Sequence, residues 1–167
     1  MTNAAPDWPA PAPSPALRRL DVLAGTWVVD GRDLITGEAV RGDVTFAWMF
    51  GGHYLVQHVV LDYAGRPLTG VEYIAYDERD QAVRSCFFSN DGPSPFGGLA
   101  LEYVWDVRDG GFTVWAAGDG RPAKFDAVFG DDRNTITGRC AWPGGGHEIA
   151  MTRADGRPCS ASVFSTF

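Results

Sequence analysis

Two of the three histidines, His53 and His58, stand five residues apart in FAWMFGGHYLVQH (Phe46–His58), among aromatics and beside a Gly-Gly pair; the third, His147, follows PGGG. Imidazole titrates near neutrality, so these residues raise three chemistries: a metal or haem site, proton transfer, or wall packing with a satisfied ring. Joint metal ligation by the pair fails on geometry. An odd spacing along a strand sends side chains to opposite faces, and a bulge at Gly51-Gly52 would lie before His53 and leave that parity unchanged. A three-histidine centre would need distant positions to converge, without a Glu-x-x-His spacing to help. No metal site is expected. At most one histidine of the pair faces an interior, and we assign that place to His58. Its face, with Tyr54, Val56 and Val60, continues the lining begun by Phe46 and Trp48, whereas His53 travels with Leu55, Gln57, Val59 and Leu61 and adjoins a Gly51-Gly52 turn reached by water.

Other polar residues interrupt apolar strand patterns. Glu72 shares a face with Ile74 and Tyr76, and Arg84 with Cys86 and Phe88. Either the two form an exposed cross-strand pair on an outer wall, or they pair inside and grip a ligand's polar end, since a buried charge requires a partner. Six tryptophans supply more aromatic surface than a core this size needs. Trp48 and Trp105 suit stacking on a flat apolar ligand, with Tyr103 on the Trp105 face, while Trp27 suits a structural plug. Cys86 reads as a small buried hydrophobe without a base to activate it.

The absent motifs narrow the chemistry further. The chain has no GxGxxG, P-loop, GxSxG, HExxH or close carboxylate pair, so no familiar cofactor is expected. Fourteen Lys and Arg against 21 Asp and Glu give a net charge of −7, which argues against nucleic acid and anionic membranes as partners. Cys86, Cys140 and Cys159 are far apart, which suits a reducing compartment. Together with the lack of a signal-like or membrane-spanning apolar run, this gives a cytoplasmic expectation.

The elements that must position these residues are nearly all β. After a Pro-rich stretch, PALRRLDVLAG has apolar residues at helical spacing and ends at Gly25, so one short helix is expected. About ten strands follow, over 26–31, 43–49, 54–62, 70–76, 82–89, 99–106, 111–116, 123–129, 135–141 and 147–153, divided by DERD, RDGG, GDGR, GDDRN and PGGG. Such a meander must close or expose its edges. An antiparallel up-and-down β-barrel is therefore expected, with a sandwich as its rival. Val44, Phe46 and Trp48, then Leu99, Leu101, Tyr103 and Trp105, then Phe125, Ala127 and Phe129 form the apolar, inward faces. The layout is a disordered tail over 1–16, one barrel domain over 17–153 and an extension over 154–167. Trp8 is either a tail residue or a plug at the barrel mouth, and Ser89–Gly98 reads as a rim loop with Phe96 packed on the barrel.

The opening LDVLAGTW (Leu20–Trp27) resembles the Gly-x-Trp start of lipocalin-like, calycin-type barrels. With TFAWMFGGHYLVQHV, IAYD (Ile74–Asp77) and NTITGRCAW (Asn134–Trp142), the chain over roughly 17–153 is similar to the DUF1579-like group of bacterial β-barrel proteins. The resemblance implies a calycin-like barrel holding an apolar small molecule, and it leaves open a cyclase or isomerase activity, because a few such barrels are enzymes. The haem-binding nitrobindin type opens with Gly-x-Trp-x-Gly-x-Gly, whereas this chain reads GTWVVDG, so haem is not expected. The first expectation is a binder of an apolar or aromatic ligand, lined by Phe46, Trp48, Tyr54, His58, Glu72, Arg84, Tyr103 and Trp105. The alternative is a cofactor-independent enzyme moving a proton with a His, Tyr or Glu. A homodimer is compatible with either.

Overall fold

A computed structural model describes residues 12–93, 98–117 and 123–154. Trp8, residues 94–97 with Phe96, and the extension beyond Ala154 with Cys159 lie outside the described residues. The ten expected strands are present: β1 (Gly25–Asp33), β2 (Ala39–Trp48), β3 (Tyr54–Tyr63), β4 (Arg66–Asp77), β5 (Ala82–Ser89), β6 (Leu101–Arg108), β7 (Gly111–Ala116), β8 (Lys124–Phe129), β9 (Thr135–Trp142) and β10 (Gly145–Arg153). Each pairs antiparallel with its neighbours in sequence, and β1 pairs with β10, so the sheet closes into an up-and-down barrel with no free edge. No helix among the described residues is long and apolar enough to cross a membrane.

Alternation is what makes this wall. Side chains of one parity in each strand point inward, and opposite partners in an antiparallel ladder share a face. Trp27, Val29, Val44, Phe46, Leu55, Val59, Ile74, Trp105, Phe112, Ile136 and Met151 thus form one continuous buried cluster. The β2–β3 turn depends on Gly51 and Gly52, whose φ of 91° and 72° lie where side chains are strained. Leu99, expected on the inner face of a strand, precedes β6 and is 81% exposed.

One end of the barrel is shut by the residues that precede β1. Helix α1 (Pro15–Arg18) starts at Ser14, whose Oγ accepts from the Ala16 amide at 3.3 Å, and a 3-10 turn over Arg19–Leu23 continues it. Both elements push Leu17, Leu20 and Leu23 into the barrel end, each 1% exposed or less. The tail boundary expected at residue 16 therefore falls too late. Pro15 and Ala16 belong to the helix, and Pro13 lies close to Gly52 in the β2–β3 turn.

Trp27 fills this end as anticipated, fully buried, with its Nε1 donating to the Leu23 carbonyl at 2.7 Å. Arg153, at the far end of β10, lies with its guanidinium 4.2 Å from the Trp27 ring centroid. Its Nη1 donates to the Ala24 carbonyl at 2.7 Å and its Nη2 to the Val22 carbonyl at 2.8 Å. The last strand is thereby tied to the chain just before the first by charge-assisted hydrogen bonds and a cation–π contact. We expect Trp27→Ala to lower stability by about 3–5 kcal/mol through loss of the plug. Arg153→Met should cost about 1.5–3 kcal/mol, the range for hydrogen bonds to a charged group. Urea unfolding followed by tryptophan fluorescence measures both.

Candidate ligand cavity

Above the plug the core is open. A cavity of about 740 Å³ runs up the barrel axis, between a lower wall that includes Phe46, Trp105, Phe112 and Met151 and an upper wall that includes Phe87, Phe125, Trp142 and Pro143. Its size and mostly apolar lining match those of small-molecule sites. Two inner-wall glycines set its width. A Cβ on Gly70 would come within 2.4 Å of the Phe87 ring, and one on Gly138 within 2.3 Å of the Phe125 ring, so each ring packs against bare backbone. Phe112 stacks with Trp105 at 5.2 Å between centroids and tilts against Phe125 at 6.0 Å.

The deep polar groups come from four adjacent strands, β3 to β6. Trp105 Nε1 donates to Ser85 Oγ at 2.8 Å, and Ser85 Oγ donates to Glu72 Oε1 at 2.5 Å. The ladder places Gln57 opposite Glu72 and Tyr103 opposite Ser85. Glu72 is 6% exposed. Burial pushes its carboxyl up to about 7, with hydrogen bonding from Ser85 and Trp105 pulling it part of the way back. Burial also raises the Tyr103 hydroxyl above its ordinary value, and the Glu72 charge adds to that.

A second polar group sits at the mouth. Tyr63 donates its hydroxyl to Asp33 Oδ2 at 3.2 Å and lies 3.3 Å from His147 Nδ1. Donation to Asp33 leaves the Tyr63 oxygen to accept from Nδ1–H, which fixes the imidazole tautomer with Nε2 as the free acceptor. Burial lowers the His147 pKa, against the opposing pull of Asp33. It packs edge-on to Tyr63 and Trp142 and lies 6.3 Å from Phe125. The neighbouring Cys140 thiol is pushed up to about 11 by burial, away from thiolate chemistry.

Of the eight residues expected to line a ligand site, Phe46, Glu72, Tyr103 and Trp105 do line the cavity. Trp48 faces inward but lies below it, at the closed end, beneath the Arg18 guanidinium at 4.8 Å. Tyr54 and His58 are corrected: both sit on the outer wall, with Tyr54 45% exposed and Val60 beside them 60% exposed. The reason is register. Trp48 pairs with Leu55 and Phe46 with Gln57, so the inward face of β3 is that of Leu55, Gln57, Val59 and Leu61. Arg84 is corrected too. It pairs with Ala75, turns outward, and meets Asp80 and Glu102, so it cannot join Glu72 inside. Cys86 shares that outer face and is only half-buried. Sequence reasoning missed Gln57, Ser85 and the Asp33–Tyr63–His147 chain as polar members of the interior. Among the described residues no group of three His, Cys, Asp or Glu side chains could hold a metal ion. No protein-family model and no curated protein sequence matches this chain.

Glu72 has a consequence for stability. Its folded pKa, about 7, lies above its ordinary 4.5, so between these values the folded state binds the proton that the unfolded state has released. Its contribution is fully present below about pH 4.5 and lost as the pH rises through 7. We expect the stability difference between wild type and Glu72→Gln to shift against wild type by on the order of 3 kcal/mol across that window. Urea denaturation at a series of pH values measures it, and His147 cancels because both proteins carry it.

Proposed function

We propose that this barrel binds an apolar or aromatic small molecule in its central cavity, with Glu72 and its hydrogen-bonded neighbours as the polar anchor. The observation that carries this reading is the cavity itself: about 740 Å³, walled by Phe46, Phe87, Trp105, Phe112 and Phe125, with its deep polar groups confined to one side. Space of this kind costs the fold packing energy, and a bound apolar molecule restores the lost contacts. The resemblance of the Gly-x-Trp opening to calycin-type barrels of the DUF1579-like group supports the same reading, and the sparse cysteines fit a cytoplasmic setting.

A second reading is favoured by one specific observation. Glu72 titrates near neutrality inside an apolar cavity, the condition for a general base that takes and returns a proton, as a cofactor-independent isomerase or cyclase requires. The two readings differ in what becomes of the ligand. We expect native mass spectrometry of the purified protein to show an adduct whose extracted mass and structure are unchanged after prolonged incubation. The neutral fluorophore N-phenyl-1-naphthylamine should also brighten on binding and quench Trp105. Val114→Trp, which fills the cavity from β7, should abolish the uptake while the protein stays folded by circular dichroism. Conversion of the extracted molecule to an isomer would favour the enzyme.

A further inference from the structure

The deep end of the cavity is chemically one-sided. Two of its donors are committed along a single direction: the Trp105 N–H goes to Ser85, and the Ser85 O–H goes to Glu72 Oε1, while Gln57 and Tyr103 line the same space. The Glu72 side chain is more than nine-tenths buried and lines the cavity, so its carboxyl meets whatever occupies the deep end. Among the described residues no arginine lines the cavity. Its one lysine, Lys124, is at the mouth, where its ammonium pairs with Asp126 on the outer wall at 2.8 Å. The ionisable groups sharing the space with Glu72 are Tyr103 from β6, Cys140 from β9 and His147 from β10; the polar residue that β3 presents is Gln57, and β5 adds Phe87 to the lining while its Ser85 bonds Glu72. None of these is a fixed cation, and burial lowers the His147 pKa below its ordinary value.

We propose that the buried Glu72 carboxyl, lining the cavity with no cation beside it among the described residues, makes this a site for apolar molecules carrying a hydrogen-bond donor, a hydroxyl or an amine, and that it rejects fatty-acid carboxylates. The inference rests on the cavity-binding reading above and names the chemical class of its ligand. A hydroxyl or ammonium group at the deep end donates to the Glu72 carboxyl, and an ammonium also supplies the missing positive charge. A carboxylate placed there would face Glu72 across a low-dielectric space with no cation between them.

The test is displacement of N-phenyl-1-naphthylamine from the intact chain by three probes of equal chain length: dodecylamine, dodecanol and dodecanoate. At about pH 8, where Glu72 is ionised, the amine and the alcohol should each displace the fluorophore at concentrations roughly tenfold or more below those needed for dodecanoate. The amine stays protonated at about pH 6, so weaker displacement by it there reports Glu72 gaining a proton. Glu72→Gln, which keeps an acceptor for Ser85, should still take up the fluorophore, with its own Kd used to scale the competition, and should lose the preference. Glu102→Gln, on the outer wall, should retain it. If the fluorophore binds but dodecanoate competes as well as the amine, or if Glu72→Gln keeps the ranking, the ligand-class inference is wrong while the binding reading stands. If the fluorophore does not enter the cavity at all, both fall.

Discussion

The contact between Arg153 and Trp27 is the constraint on which the rest of the barrel depends. A ten-stranded meander closes only if its first and last strands meet, and that pairing has the longest chain separation of any in the sheet. Loop closure over such a distance carries an entropic penalty that local hairpins do not. Arg153 offsets it at one point, bonding two main-chain carbonyls of the segment before β1 while covering the indole that fills the barrel end. Because Trp27, Leu17, Leu20 and Leu23 complete the core at that end, the upper barrel does not have to be packed solid. The cavity is therefore a consequence of where the packing energy was concentrated.

Glu72 shows the same division of labour from the polar side. A buried carboxyl without a cation would ordinarily be selected against, since desolvation costs more than one neutral hydrogen bond returns. Here it is tolerated because a hydroxyl and an indole N–H line up to meet one of its oxygens, and because neutralisation by a proton is available near pH 7. The mouth uses a different solution. Asp33 is held ionised by the backbone amides of Thr36 and Ile35, and through Tyr63 it orients His147 without burying a charge of its own.

Strand existence and most inward faces were legible in the sequence, because alternation is a local property: Val44, Phe46, Trp105 and Phe125 announce the interior by parity alone. The choice between the two faces of β3 was not a local matter, since both are apolar, and the aromatic and β-branched content of the Tyr54–His58 face misled. The signal that would have decided it was nonetheless present. A turn centred on Gly51-Gly52 sets Trp48 opposite Leu55, and opposite residues share a face, so an inward Trp48 forces His58 outward. The same pairing rule applied to the β4–β5 hairpin sets Arg84 opposite Ala75 and separates it from Glu72. Ser85 and the Tyr63–His147 contact had no such signal. Hydroxyls on strands are common, and Asp33, Tyr63 and His147 converge only once β1 and β10 are joined.

Gly70 and Gly138 give the cavity an adjustable bore. Each lends its bare backbone as a bed for one phenylalanine ring, so the free diameter at that height is determined by two missing methyl groups and not by the number of strands. Replacing either glycine by alanine would lift a ring toward the axis and narrow the channel on one side, while replacing Phe87 or Phe125 by leucine would widen it. Calibre and wall are thus separable traits. A lineage, or a designer, can resize the guest without redrawing the sheet that encloses it.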